Sequence, residues 1–98
     1  MFTGQKNRIV RNSNKAFVFE LLAIKIKKRL AAFLVEESSI EGTKLLKITH
    51  EKIANHMGTA REVVTRMLRY FQGEGLVKLA RGTIEITDEP GLRDLQDD

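Results

Sequence analysis

The stretch from Thr49 to Phe71, THEKIANHMGTAREVVTRMLRYF, constrains the fold of this chain more than any other part of the sequence. It contains two short helix-forming segments separated by Gly58, a residue that can adopt a left-handed backbone conformation without steric cost. Ala54 is small enough to lie where two steeply crossing helices touch, and Val64 offers an apolar contact from the second helix. This spacing predicts a helix-turn-helix, in which two short helices are joined by a tight turn.

Capping signals predict where the two helices begin. Thr49 is expected to cap the first helix, which runs to Met57, and Thr59 is expected to cap the second, which reaches to about Gln72. Glu62 follows Thr59 at the spacing of a capping box, in which its carboxylate would bond back to the Thr59 backbone.

The second helix divides into an apolar half and a polar half when its residues are placed about 100° apart. The apolar half consists of Val63, Val64, Met67, Leu68 and Phe71. The polar half consists of Arg61, Glu62, Thr65, Arg66 and Arg69. An ordinary surface helix has the same division, but here the charged residues begin in the first turn after the glycine. That end of a recognition helix points into the major groove.

Base-recognition chemistry assigns a candidate role to each residue of this polar face. Arg61 and Arg66 are predicted to read guanine, because the paired donors of a guanidinium match O6 and N7. Glu62 is predicted to read cytosine by accepting from N4. Thr65 is predicted to touch a thymine methyl or a phosphate. Glu62 also has structural alternatives, namely the capping box and an ion pair with Arg66 one turn later.

Phosphate contacts are expected at the N-terminal ends of both helices and at the tip of a following hairpin. The candidates are Thr49, His50, Thr59, Arg69, Arg81 and Gly82. His50 and His56 have no nearby cysteine or paired acid, so we expect exposed helix residues there and no metal site.

The remainder of the chain predicts a long helical segment before this motif and a small hairpin after it. Asn14 to Glu37 lacks Gly and Pro, which fits one long helix or two helices with a bend near residues 25–28. After a short extended LLKI segment and the two motif helices, residues 76–80 and 83–87 predict a hairpin that turns at Arg81-Gly82. A short turn of helix is expected to follow. The fold class is therefore mainly α with a small β-hairpin wing, a winged helix-turn-helix with a three-helix core.

Composition limits the functional classes. The chain has 98 residues, with 17 Lys and Arg against 13 Asp and Glu and a net charge of +4, a balance that permits nucleic-acid binding without requiring it. No apolar run approaches the roughly 20 residues of a membrane span, and the start lacks a signal peptide, so we expect a cytoplasmic protein with no membrane partner. The serines in predicted loops have no paired histidine and no phosphate-binding glycine loop is present, so we expect no enzymatic activity.

The segment from Ile48 to Val77 has the pattern I-T-H-E-x-I-A-N-x-x-G-T-x-R-E-V-V-T-R-x-L-x-x-F-x-x-E-G-L-V. This pattern resembles the C-terminal DNA-binding domain of the Crp/Fnr family of bacterial transcription regulators. The RGTIEITD wing and the KKRLAAFLVEES helix extend the resemblance to roughly residues 27–95. The R-E-x3-R pattern at Arg61, Glu62 and Arg66 is similar to the Crp-like subgroup. It implies recognition of a TGTGA-type half-site.

The resemblance also implies a domain plan and a set of partners. Residues 1–13 are expected to form a flexible basic arm, 14–26 the tail of a dimerisation helix, and 27–98 the DNA-binding domain. The expected partners are double-stranded DNA, a second copy of the chain in the intact regulator, and RNA polymerase. No cofactor is expected in this chain, since an effector such as a cyclic nucleotide would bind a sensor domain that the sequence lacks. The chain would then be an excised domain or a short standalone homologue. The alternative function is a winged-helix protein-interaction module without base-specific DNA reading.

Overall fold

Four helices and three short strands make up the part of the chain that the computed structural model describes, which is residues 3–97, with side chains over 21–96. The elements are α1 (Thr3–Glu41), β1 (Leu45–Leu46), α2 (His50–Met57), α3 (Arg61–Gly73), β2 (Val77–Ala80), β3 (Thr83–Ile86) and α4 (Glu89–Asp97). The predicted winged helix-turn-helix is confirmed, since α2 and α3 are joined by a short turn and followed by an antiparallel hairpin.

The first helix is one continuous element, which decides between the two possibilities left open by the sequence. It begins at Thr3, so residues 3–13 of the expected arm belong to this helix, and residues 1 and 2 lie outside the described part. A polar stretch without apolar periodicity lacks a face to bury, but it can still continue a helix. From Leu30 to Val35 the helix joins the core, with only Ala32 exposed among these residues.

A third strand completes the sheet, and the sequence did not predict its pairing. The strand order is β1-β3-β2, and both pairings are antiparallel. β1 belongs to the expected extended segment before α2 and pairs Leu46 with Ile84. Within β3, Ile84 and Ile86 are buried whereas Glu85 is exposed, the alternation of a strand with one face on the core. The sheet therefore holds the wing against the helices.

The last helix is longer than the short turn that the sequence predicted, because it has a cap and a buried face. The Asp88 carboxylate accepts a hydrogen bond from the Gly91 N–H at 3.0 Å, which satisfies a free donor of the first turn. Leu92 is fully buried and Leu95 packs against the core, so α4 is held along α1.

One hydrophobic core joins every element that positions the motif. Its largest fully buried side chains are Phe71, Leu30, Leu34, Ile53, Leu68, Ile84, Leu92 and Val64. They come from α1, α2, α3, β3 and α4, so the exposed face of α3 is supported from behind by the whole domain. None of the helices in the described part combines the length and apolar character needed to cross a membrane.

Candidate nucleic-acid interface

The turn between α2 and α3 has the geometry that the sequence predicted. The Thr49 hydroxyl caps α2 by accepting a hydrogen bond from the Lys52 N–H at 3.1 Å. Gly58 ends α2 with φ 70° and ψ 35°, in the left-handed region. The Thr59 N–H reaches back to the Ala54 carbonyl at 3.0 Å, and the Gly58 N–H to Asn55 at 3.4 Å. This is a Schellman motif, and it sets the angle at which α3 leaves α2.

The start of α3 differs from the prediction. Its N-cap is Ala60, which makes no side-chain capping hydrogen bond, and Arg61 is its first residue. The Thr59 N–H, which a capping box would direct to the Glu62 carboxylate, is instead bonded to the Ala54 carbonyl. The predicted capping box between Thr59 and Glu62 is therefore wrong, and Glu62 stands at the second position of the helix.

The predicted division of α3 into two faces is confirmed. Val64, Leu68 and Phe71 are fully buried, and Val63 and Met67 are half-buried. On the opposite side Arg61, Glu62, Arg66 and Arg69 are exposed, and Thr65 is half-buried between the two faces. The buried face anchors the helix, which leaves three guanidinium groups and one carboxylate directed to solvent.

The charged groups at the start of α3 have no partner within the described part of the chain. The single ion pair among the described side chains joins Arg93 to Glu89 at 2.8 Å on α4. The ion pair between Glu62 and Arg66 does not form, and the capping box is also absent. Both structural alternatives for Glu62 are thereby removed. Its carboxylate and the Arg66 guanidinium remain available to a ligand.

His50 links the two helices of the motif. Its Nδ1 lies 2.9 Å from the Thr65 hydroxyl oxygen, within hydrogen-bond distance. Burial of the ring, followed by the positive charges of Arg61 and Arg69, lowers the pKa of His50 below its ordinary value. The neutral ring is therefore favoured over the imidazolium in the free protein.

The predicted residues fall into three groups in the structure. The first group spans α2 and α3: His50 and Thr65 lie within hydrogen-bond distance, and the charges of Arg61 and Arg69 lower the pKa of the imidazole. Glu62 and Arg66 form the adjacent row of α3, one helical turn apart. The remaining candidates lie in separate places: Thr49 caps α2, Thr59 is in the turn, and Arg81 and Gly82 form the exposed hairpin tip.

Three contacts that position this surface were not found by sequence reasoning. The Arg29 guanidinium donates to the Met57 carbonyl at 3.1 Å and thereby holds the end of α2 against α1. Lys27 lies over the Tyr70 ring, with Nζ 5.2 Å from its centre. The Gln72 side-chain carbonyl accepts from the Leu79 N–H at 2.8 Å and joins α3 to the wing. The basic cluster at residues 25–29 was visible in the sequence, but no periodicity pointed to its partners.

The described side chains contain no group of three or more His, Asp or Glu residues placed to hold a metal ion. The site is instead an exposed, cationic helix face with one acidic side chain, supported by a capped first helix and a hairpin.

A family model described as the Crp-like helix-turn-helix domain matches residues 28–95. The chain belongs to the Crp/Fnr family of transcription regulators. The match covers the end of α1, the whole helix-turn-helix and the wing, and it confirms the resemblance inferred from the sequence.

Similar proteins come from several bacteria. The transcriptional regulator SdrP of Thermus thermophilus is 35% identical over 77 residues, which are 72% of this chain and 38% of that protein. The crystal structure of a Crp/Fnr regulator from Eubacterium rectale is 50% identical with a TM-score of 0.74, covering 98% of this chain and 46% of that one. The T. thermophilus catabolite activator protein is 26% identical with a TM-score of 0.75, covering 98% and 45%.

The chain spans less than half the length of each of these relatives. The relatives are transcriptional regulators.

Proposed function

We propose that this domain binds double-stranded DNA with α3 in the major groove and recognises a TGTGA-like half-site through Arg61, Glu62 and Arg66. One observation carries the proposal. These three side chains are exposed on the first turns of α3 and have no partner among the described residues. A guanidinium presents a fork of donors that matches guanine O6 and N7, and a carboxylate accepts from cytosine N4. Two forks flanking one carboxylate suit a G·C-containing half-site.

The residues proposed to contact DNA phosphates lie around the three base-reading side chains of α3. Arg69 and His50 lie beside them, and the Thr49 hydroxyl retains its own proton to donate while its oxygen caps α2. Thr59 is half-exposed in the turn before α3. Arg81 and the Gly82 backbone lie exposed at the tip of the wing, where a cation and a free N–H suit the adjacent DNA backbone. The net charge of +4 favours this association.

The intact regulator is proposed to bind as a homodimer through the part of α1 that precedes the core. Leu21, Leu22 and Ile24 are 44%, 52% and 47% exposed there, although all three are large apolar residues. A parallel copy of the helix would cover them. Two recognition helices related by a two-fold axis would then meet half-sites about 34 Å apart.

Selection of DNA from a random duplex library by the purified chain tests the proposal. We expect enrichment of TGTGA-like sequences and steep weakening of the complex as salt is raised, because each phosphate contact releases a counterion. The selected duplex should also bind more tightly than a scrambled duplex at every salt concentration. Binding that shows no sequence preference, or no binding at low salt, would overturn the proposal and favour a protein-interaction module.

A further inference from the structure

The hydrogen bond between His50 and Thr65 has no counterpart elsewhere in the described structure, because it is the single side-chain to side-chain hydrogen bond that joins two different elements. His50 is the first residue of α2, and Thr65 lies on α3 between the buried face and the exposed face. The contact therefore ties the start of one motif helix to the side of the other, next to the proposed base-reading row.

The chemistry of imidazole determines what this contact leaves for a ligand. In the neutral tautomer that carries its proton on Nε2, Nδ1 accepts a hydrogen bond from the Thr65 hydroxyl and Nε2 donates outward. When the ring is protonated, Nδ1 donates to the Thr65 oxygen and Nε2 still donates outward. An anion at Nε2 is compatible with both states, and the charged ring binds it more strongly.

We propose that Thr65 is a positioning residue and not a base reader: its hydroxyl holds the His50 ring so that Nε2 donates to a DNA phosphate, and the complex takes up a proton at His50. This inference rests on the proposed DNA binding and assigns a different role to one residue of its surface. With its hydroxyl proton committed to His50, Thr65 has no donor left for a base, and only the lone pairs of its oxygen and its methyl group remain.

The electrostatics of the cluster supply the proton linkage. Burial and the charges of Arg61 and Arg69, both on α3, disfavour the imidazolium in the free protein and lower the pKa of His50. A phosphate beside the ring offsets the arginine charges and raises the pKa in the complex. The affinity for DNA should therefore begin to rise when the pH falls to the pKa that His50 has in the complex. It should level off once the pH is below the pKa that His50 has in the free protein. One linked proton limits the slope to about tenfold per pH unit.

Titrations of the 98-residue chain with duplex DNA test this inference. The probes are the selected duplex and a scrambled duplex. Fluorescence anisotropy measures their binding from about pH 8 to about pH 6 at constant ionic strength. The variants are His50→Gln, Thr65→Val and Thr65→Ser, each first checked for folding by thermal denaturation. The matched control is His56→Gln, because His56 is exposed at the other end of α2, where its ring is tilted against that of Phe33 with the centroids 4.7 Å apart.

We expect the affinity of the wild type for both duplexes to rise on acidification, and the His56→Gln profile to follow it. The His50→Gln profile should be flat. Thr65→Val should weaken binding to both duplexes by the same factor, about three- to tenfold for one lost hydrogen bond. Thr65→Ser, which keeps the hydroxyl, should restore both affinity and pH profile.

Two results would overturn the inference while leaving the proposed function intact. One is a pH profile of His50→Gln that matches the wild type. The other is a Thr65→Val loss confined to the selected duplex, which would make Thr65 a base reader. If the wild type binds neither duplex at any pH, the proposed function itself fails.

Discussion

Gly58 is the residue whose replacement tests the helix-turn-helix geometry most directly. Its backbone is left-handed, with φ 70° and ψ 35°. A Cβ built on it meets no heavy atom within 4 Å. Gly58→Ala therefore introduces no steric clash with the rest of the fold, and any loss of stability comes from the backbone conformation alone.

The expected loss follows from two opposing effects. A left-handed backbone costs a non-glycine residue about 1–2 kcal/mol. Replacing glycine restricts the unfolded chain and recovers about 0.4–1 kcal/mol. The net destabilisation is then about 1 kcal/mol, which lowers the Tm of a domain of this size by about 4–8 °C.

Gly73 provides the matched control, because it also has no heavy atom within 4 Å of an added Cβ but its φ is not positive. It is the last residue of α3, so Gly73→Ala should stabilise the domain by up to about 1 kcal/mol through helix propensity. Thermal denaturation followed by circular dichroism measures both variants. If Gly58→Ala melts at or above the wild-type temperature, the turn does not depend on a left-handed residue, and the assignment of Gly58 is refuted.

Three further predictions concern the DNA interface and its support. Arg66→Ala should reduce the free energy of binding to the selected duplex by about 1–3 kcal/mol and to a scrambled duplex by far less. Arg66→Lys should keep the affinity for the scrambled duplex but still lose the preference for the selected one. Anisotropy titrations measure both variants, and equal losses on the two duplexes would make Arg66 a phosphate contact. Arg81→Ala should weaken binding on every sequence and reduce the salt slope by about 1, so an altered base preference would contradict a phosphate role. Thr49→Ala should destabilise the domain by about 1 kcal/mol in urea denaturation, while Thr49→Ser should not, because the cap of α2 needs only a hydroxyl oxygen.

Much of the helix-turn-helix could be predicted because its signals are local. A capping threonine, a turn glycine and an apolar period each act within a few residues of themselves. The structure confirms Thr49, Gly58 and the buried row of Val64, Leu68 and Phe71 in those roles. The hairpin turn at Arg81-Gly82 is confirmed for the same reason, since Gly82 has φ 71°.

The start of α3 shows where local signals compete. Thr59 looks like a cap when the following residues are considered alone, but its N–H is already bonded to Ala54 in the preceding turn. In the structure the helix begins one residue later, after an Ala60 N-cap that makes no side-chain hydrogen bond. The consequence for the site is that Glu62 loses its predicted structural role.

The residue pattern by itself determined the elements, the turn and the face of α3 that carries Arg61, Glu62 and Arg66, because each depends on backbone preferences and periodicity over one or two helical turns. Only the tertiary structure decided which groups on that face are free and which are engaged. The His50–Thr65 contact, the Arg29 bond to Met57 and the pairing of β1 with β3 join residues far apart in the chain. Such contacts depend on how the packed core orients whole helices and strands, and that orientation cannot be predicted from a local sequence pattern.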